Sequence, residues 1–93
     1  MNIQLFKFTT GEEVVFEVIK QDDTSVTVKN GLTMVWNGQN ITAIPFSVNI
    51  QDSQELTFSL DKIIFQTEPR KDLQDQYKQQ FSSIITPPTS IIT

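Results

Sequence analysis

Between Ile3 and Trp36 the chain runs through three β-rich stretches joined by two short polar turns. They are Ile3–Phe8, Glu13–Gln21 and the run starting at Val26, separated by Thr9-Thr10-Gly11 and Asp22-Asp23-Thr24. Neither turn has room for a helix, so this third of the chain reads as an antiparallel meander. The apolar residues fall on both faces of the strands. Ile3 and Leu5 oppose Phe6 and Phe8; Val14, Phe16 and Val18 oppose Val15 and Ile19. A flat sheet with one wet face does not carry that pattern, whereas bent strands of a small barrel do.

From Val26 the even positions Val28, Leu32, Met34 and Trp36 keep one phase, interrupted at Asn30-Gly31, where a bulge or bend is expected. Asn37-Gly38 predicts a type I′ hairpin turn with both residues at positive φ. The return strand is read over Ile41 to Ile50. Pro45 within it cannot donate to a ladder, which marks an edge or an outward amide. Leu56, Phe58 and Leu60 alternate cleanly, Asp61-Lys62 makes a sharp corner, and Ile63-Ile64-Phe65 resumes. Leu73, Tyr77, Phe81 and Ile84 then recur at four, four and three residues, the stripe of an amphipathic helix over 70–85 with Pro69 in its first turn. Pro87-Pro88 follows, and Ser-Ile-Ile-Thr occurs at 83–86 and again at 90–93.

Ninety-three residues make one domain, with hydrophobic residues at only 38%. Such a chain builds a small core and leaves apolar surface to bury elsewhere, which favours an oligomer. There is no cysteine and no histidine, which removes disulfides, thiolate metal sites and every Ser-His or Cys-His nucleophile. No cofactor, metal or enzyme activity is expected. A formal charge of −4 speaks against a broad basic footprint for duplex DNA or an anionic membrane. With no signal-like start and no apolar run of membrane length, the expectation is a soluble cytoplasmic protein.

The bent meander with Gly11 after its first strand, the polar turn, the variable hairpin and the broken last pair resemble the Sm fold of Sm, Sm-like and Hfq proteins. Ile3 to Gly11 and Glu13 to Val28 resemble the first Sm motif. Leu56 to Pro69 resembles the second, most like the Hfq version. The chain is also similar to small Sm-like proteins of tailed phages, including those infecting cyanobacteria, which would place it in the host cytoplasm. The resemblance covers residues 3–69 and implies a mainly β fold. It implies a small open five-stranded antiparallel barrel over residues 1–69; the C-terminal α-helix over 70–85 and the Pro/Ile/Thr tail over 86–93 are read from the residues themselves and depart from the family, whose usual helix precedes the barrel.

The resemblance also implies a homo-oligomeric ring, joined between subunits through Leu56, Phe58, Leu60, Ile63, Ile64 and Phe65. It implies weak binding of single-stranded RNA through Thr24, Ser25 and Lys62, with a role in RNA metabolism or regulation. The sequence departs from the RNA-binding pattern at the second turn, where Asp22-Asp23-Thr24-Ser25 has neither a stacking aromatic nor a base-reading Asn. Asp61-Lys62 replaces the usual Arg-Gly. The alternative is an oligomeric scaffold that binds another protein and has lost the nucleotide pocket. Asp22, Asp23 and Asp61 read as solvated turn residues before they read as metal ligands. Trp36, Phe46 and Tyr77 read as core or subunit contacts before they read as base-stacking platforms.

Overall fold

The computed structural model describes residues 1–51 and 53–82. Six strands and one helix follow in order: β1 Ile3–Phe8, β2 Glu13–Gln21, β3 Ser25–Trp36, β4 Ile41–Pro45, β5 Leu56–Ser59, β6 Ile63–Thr67 and α1 Lys71–Ser82. A 3₁₀ turn, Leu60–Lys62, joins β5 to β6. The sheet is antiparallel, ordered β4-β3-β2-β1-β6, with β5 laid on β3. It is mainly β and does not close. Among the described residues no helix is long and apolar enough to cross a membrane.

The bend expected at Asn30-Gly31 is a bulge. Val15 pairs with Leu32 and Glu17 with Lys29, so Phe16 faces two residues of β3, and Asn30 takes a left-handed φ of 57°. Gly31 is needed there because a Cβ would sit 2.5 Å from Phe16 Cε1 and 2.8 Å from Phe46 Cβ. Two further irregularities leave Ile19 and Ile64 as extra residues. Bulges raise local twist, and together they curl the sheet.

The inserted residue also reverses which face β3 presents. Before the bulge, Val26 and Val28 join Phe6, Phe8, Val14 and Phe16 in one core cluster. After it, Leu32 joins Ile3, Val15 and Tyr77 in a second, with Met34 packed against it. The even positions therefore do not keep one phase, because one extra residue shifts a period of two by half a repeat. Both faces of the strands are apolar because both are covered. The inner face curls over the rings of Phe6, Phe8, Phe16, Phe46 and Phe58, with Phe8–Phe58 centroids 5.1 Å apart. The outer face carries α1.

Six strands stand where the resemblance implies five, and β3 is the reason. Its C-terminal half pairs β4 (Leu32 to Pro45 through Trp36 to Ile41) and its N-terminal half pairs β5 (Ser25 to Ser59 through Val28 to Leu56). A partner strand does not follow β3 across the bulge. The Phe46 N–H bonds Gly31 O at 2.9 Å and the chain then leaves the sheet. The return strand accordingly ends at Pro45, not Ile50. The hairpin also differs from the expected type I′. Four residues, 37–40, lie between the last pair, and only Gly38 of the Asn-Gly pair has positive φ. The Asn37 side chain accepts the amides of Gln39 at 3.3 Å and Asn40 at 2.9 Å, an Asx turn that competes with the expected geometry.

Helix α1 buries Leu73 and Tyr77 and half-buries Phe81, the stripe read from the sequence. It starts at Lys71, so Pro69 precedes it; the buried Pro69 offers its carbonyl to Gln74 Nε2 at 2.8 Å. Residues 83–85 of the expected helix and the tail 86–93 lie outside the described residues. Tyr77 is fully buried, and its hydroxyl donates to Asn30 O at 2.8 Å, fastening the helix to the bulge.

Two substitutions test this joint. Gly31→Ala should lower stability by about 1–3 kcal/mol through overpacking against Phe16 and Phe46, read by chemical denaturation. Tyr77→Phe should cost about 1 kcal/mol by removing the hydroxyl's bond to the half-buried Asn30 carbonyl. Burial, and secondarily the charge of Glu17, push the Tyr77 phenol above its ordinary value of 10.0. The neutral phenol is thus the form that folding favours. Its contribution should be complete below pH 10.0 and fade as pH rises beyond that; this part of the alkaline loss should vanish in Tyr77→Phe.

Candidate functional site

Three turns that are distant in sequence meet at one corner of the sheet. Gly11 at a φ of 101° closes the β1–β2 turn, where its N–H bonds Phe8 O at 2.9 Å. The 3₁₀ turn bridges that turn to the β2–β3 turn. Leu60 N–H donates to Thr24 O at 2.9 Å, and Thr9 N–H donates to Lys62 O, also at 2.9 Å. The expected RNA contacts Thr24, Ser25 and Lys62 are therefore brought together by backbone hydrogen bonds. The short polar segments come together because β5 and β6 pair different strands, β3 and β1, and the chain must turn between them.

The hydroxyls at this corner are already engaged. Asp22 Oδ1 accepts the backbone N–H groups of Thr24 and Ser25 at 2.9 Å each, and their hydroxyls at 3.3 Å. Asp61 Oδ1 accepts the Ser59 hydroxyl at 2.7 Å. The backbone donors, Thr24 first and then Ser25, hold the Asp22 carboxyl below the usual carboxylate range. Asp22 is thus the organising acceptor of a tight turn. Among the described residues no group of three His, Cys, Asp or Glu side chains is placed to hold a metal ion. Lys62 is exposed and shares the corner with Asp22, Asp23 and Asp61. The local balance is acidic, which disfavours a polyanion.

The six residues expected at a subunit interface divide into two groups. Leu56, Phe58, Leu60 and Ile63 are half-buried against the inner core. Ile64 and Phe65 remain 60% and 43% exposed on β6. Of the aromatics weighed as stacking platforms, Phe46 packs against the inner core and Tyr77 lies on the buried face of α1 against Ile3, Val15 and Leu32. Trp36 is half-exposed, with the Arg70 guanidinium 5.1 Å from its ring centroid.

Two features had no signal in the linear sequence. Gln21 and Gln66, 45 residues apart, form a reciprocal amide pair at 2.9 and 3.2 Å. The second is a cleft of about 270 Å³ between the end of α1, the β3 bulge and the loop that follows β4. Leu32, Pro45, Ile50 and Phe81 contribute its apolar lining, and among the described residues no charged side chain lines it. Compared with known proteins, the chain matches no protein-family model and no curated protein sequence.

Because Asp22 is held ionised by the folded turn, its stabilising share is present above its ordinary pKa of 3.8. It is lost as pH falls through the lowered value. Asp22→Ala should therefore lower the melting temperature at neutral pH, and the gap to the parent chain should narrow as the solution is acidified. A gap that stays constant with pH would show that the carboxylate charge contributes nothing.

Proposed function

We propose that this chain is a self-assembling Sm-like scaffold whose subunits join edge to edge into a homo-oligomer and which engages another protein. The observation that carries the reading is the set of strands paired on one side only. Among the described residues β4 and β5 each pair only β3 and β6 pairs only β1, so each has a row of unpaired backbone groups, with exposed Ile64 and Phe65 beside that of β6. Unpaired edges are templates for another strand, and a head-to-tail contact that repeats can close into a ring. Leu56, Phe58, Leu60 and Ile63 support the same edges from the core side.

A second reading, weak single-stranded RNA binding, is favoured by one observation: the corner gathers Thr24, Ser25 and Lys62. A ring would repeat Lys62 once per subunit. It stands behind the scaffold reading because the turn hydroxyls serve Asp22 and the turns that meet at this corner carry Asp22, Asp23 and Asp61. Base discrimination would be slight, since no side chain is placed there both to stack and to read a base.

Light scattering at micromolar concentration should give an oligomer, and the double substitution Ile64→Lys, Phe65→Lys should reduce it to a folded monomer. A monomeric parent chain would sink the assembly reading. For RNA, titration with short U-rich and A-rich strands should show at most weak binding that falls with salt and disappears in Lys62→Glu. Tight U-selective binding that survives both high salt and Lys62→Glu would overturn the preference for a protein scaffold.

A further inference from the structure

The dipeptide Asn-Gly occurs twice in the chain, at Asn30-Gly31 and at Asn37-Gly38, and neither side-chain amide has a part in the proposed assembly. We propose that Asn37, at the tip of the β3–β4 hairpin, is a site of spontaneous deamidation, and that the fold protects Asn30 from the same reaction.

The chemistry needs only water as a co-reactant. The backbone nitrogen of Gly38 attacks Cγ of Asn37 and gives up its proton to solvent. The Cγ–Nδ2 bond breaks, Nδ2 takes a proton and leaves as ammonia, and a cyclic succinimide remains. Water then opens the ring at either carbonyl. Cutting the new bond to Cγ gives aspartate, and cutting the original peptide bond gives isoaspartate. Nothing is oxidised or reduced. Nucleophile and electrophile belong to adjacent residues, so the attack is intramolecular.

At Asn37 the structure favours these steps. Asn37 and Gly38 are exposed, and a Cβ built on Gly38 would meet no atom within 4 Å, so the space beside the attacking residue is open. Asn37 Oδ1 accepts the N–H groups of Asn40 at 2.9 Å and Gln39 at 3.3 Å. Fixed donors on a carbonyl oxygen stabilise the negative charge that it takes when its carbon is attacked. Asn30-Gly31 is held otherwise. Both residues are half-buried. Asn30 O accepts the Tyr77 hydroxyl at 2.8 Å, Gly31 O accepts the Phe46 N–H at 2.9 Å, and Phe16 Cε1 stands 2.5 Å from the place of a Gly31 Cβ. Ring closure at Asn30 rotates the peptide unit that joins it to Gly31 and breaks those contacts, so it proceeds only through local opening. The product at position 37 adds a carboxylate beside the open edge of β4, and charge there opposes pairing with a further strand.

In the full folded chain kept at mildly alkaline pH, peptide mapping by mass spectrometry should show the amide-to-acid mass gain at position 37, as aspartate and isoaspartate together. Position 30 should convert at least about tenfold more slowly, because it waits on opening. In denaturant the two positions should convert at similar rates, since the contacts that separate them are gone. An Asn37 that keeps its amide in the folded chain while it converts in denaturant overturns the proposal. So does an Asn30 that keeps pace with it in the folded chain. Aspartate without isoaspartate at position 37 also overturns it, because the amide is then hydrolysed directly and Gly38 takes no part.

Discussion

The fold depends on the bulge at Asn30-Gly31 and on the hydrogen bond that Tyr77 makes to it. An extra residue in β3 opposite Phe16 requires a left-handed Asn30 and a glycine where the rings of Phe16 and Phe46 approach the backbone. The carbonyl of the half-buried Asn30 is an acceptor beside the outer core. The Tyr77 hydroxyl supplies the donor from another element. A phenol suits the position because its ring fills the space between helix and sheet while its single polar atom reaches the backbone.

From that bend the rest of the architecture follows. Reversing the face of β3 lets one strand contribute Val26 and Val28 to the inner core and Leu32 to the outer one. A 93-residue chain can thus bury both sides of a single sheet. The same bend prevents one long partner strand from pairing β3 throughout, so β4 and β5 share it and the intervening loop borders the cleft. The short step from β5 to β6 then draws the Asp22–Ser25 and Thr9–Glu12 turns to the 3₁₀ corner, and it leaves one edge of each strand unpaired. The bulge thus shapes the cleft and brings about the open edges.

The corner that gathers Thr24, Ser25 and Lys62 shows how local chemistry limits a site. Asp favours turns because its carboxylate can bond the amides that follow it, and Asp22 does so at Thr24 and Ser25. Those bonds make a compact turn and engage the amides and hydroxyls of Thr24 and Ser25. Charge acts in the same direction, since a lone Lys62 among aspartates generates little attraction for phosphates. The apolar edge beside it, by contrast, has exposed Ile64 and Phe65 and no competing partner among the described residues.

Much of the fold was legible in the sequence because its signals are local. The strands β1 to β3, the turn at Gly11, the interruption at Asn30-Gly31, the corner at Asp61-Lys62 and the stripe Leu73, Tyr77, Phe81 all follow from side-chain period and turn chemistry. The candidate corner was legible only as separate turns, and Asp22 as a turn former. What the tertiary structure decided was everything that depends on one element meeting another. Parity beyond the bulge was misread, since a period of two shows an interruption without telling whether one residue or two are inserted. The early end of β4 depends on which half of β3 a partner can follow. The hairpin took an Asx turn because Asn37 can serve either geometry and the neighbouring ladder selects between them. The Gln21–Gln66 pair, the Tyr77 bond to Asn30 and the cleft at Phe81 join residues far apart in the chain. No local pattern encodes such contacts, and only the curled sheet with its helix brings them together.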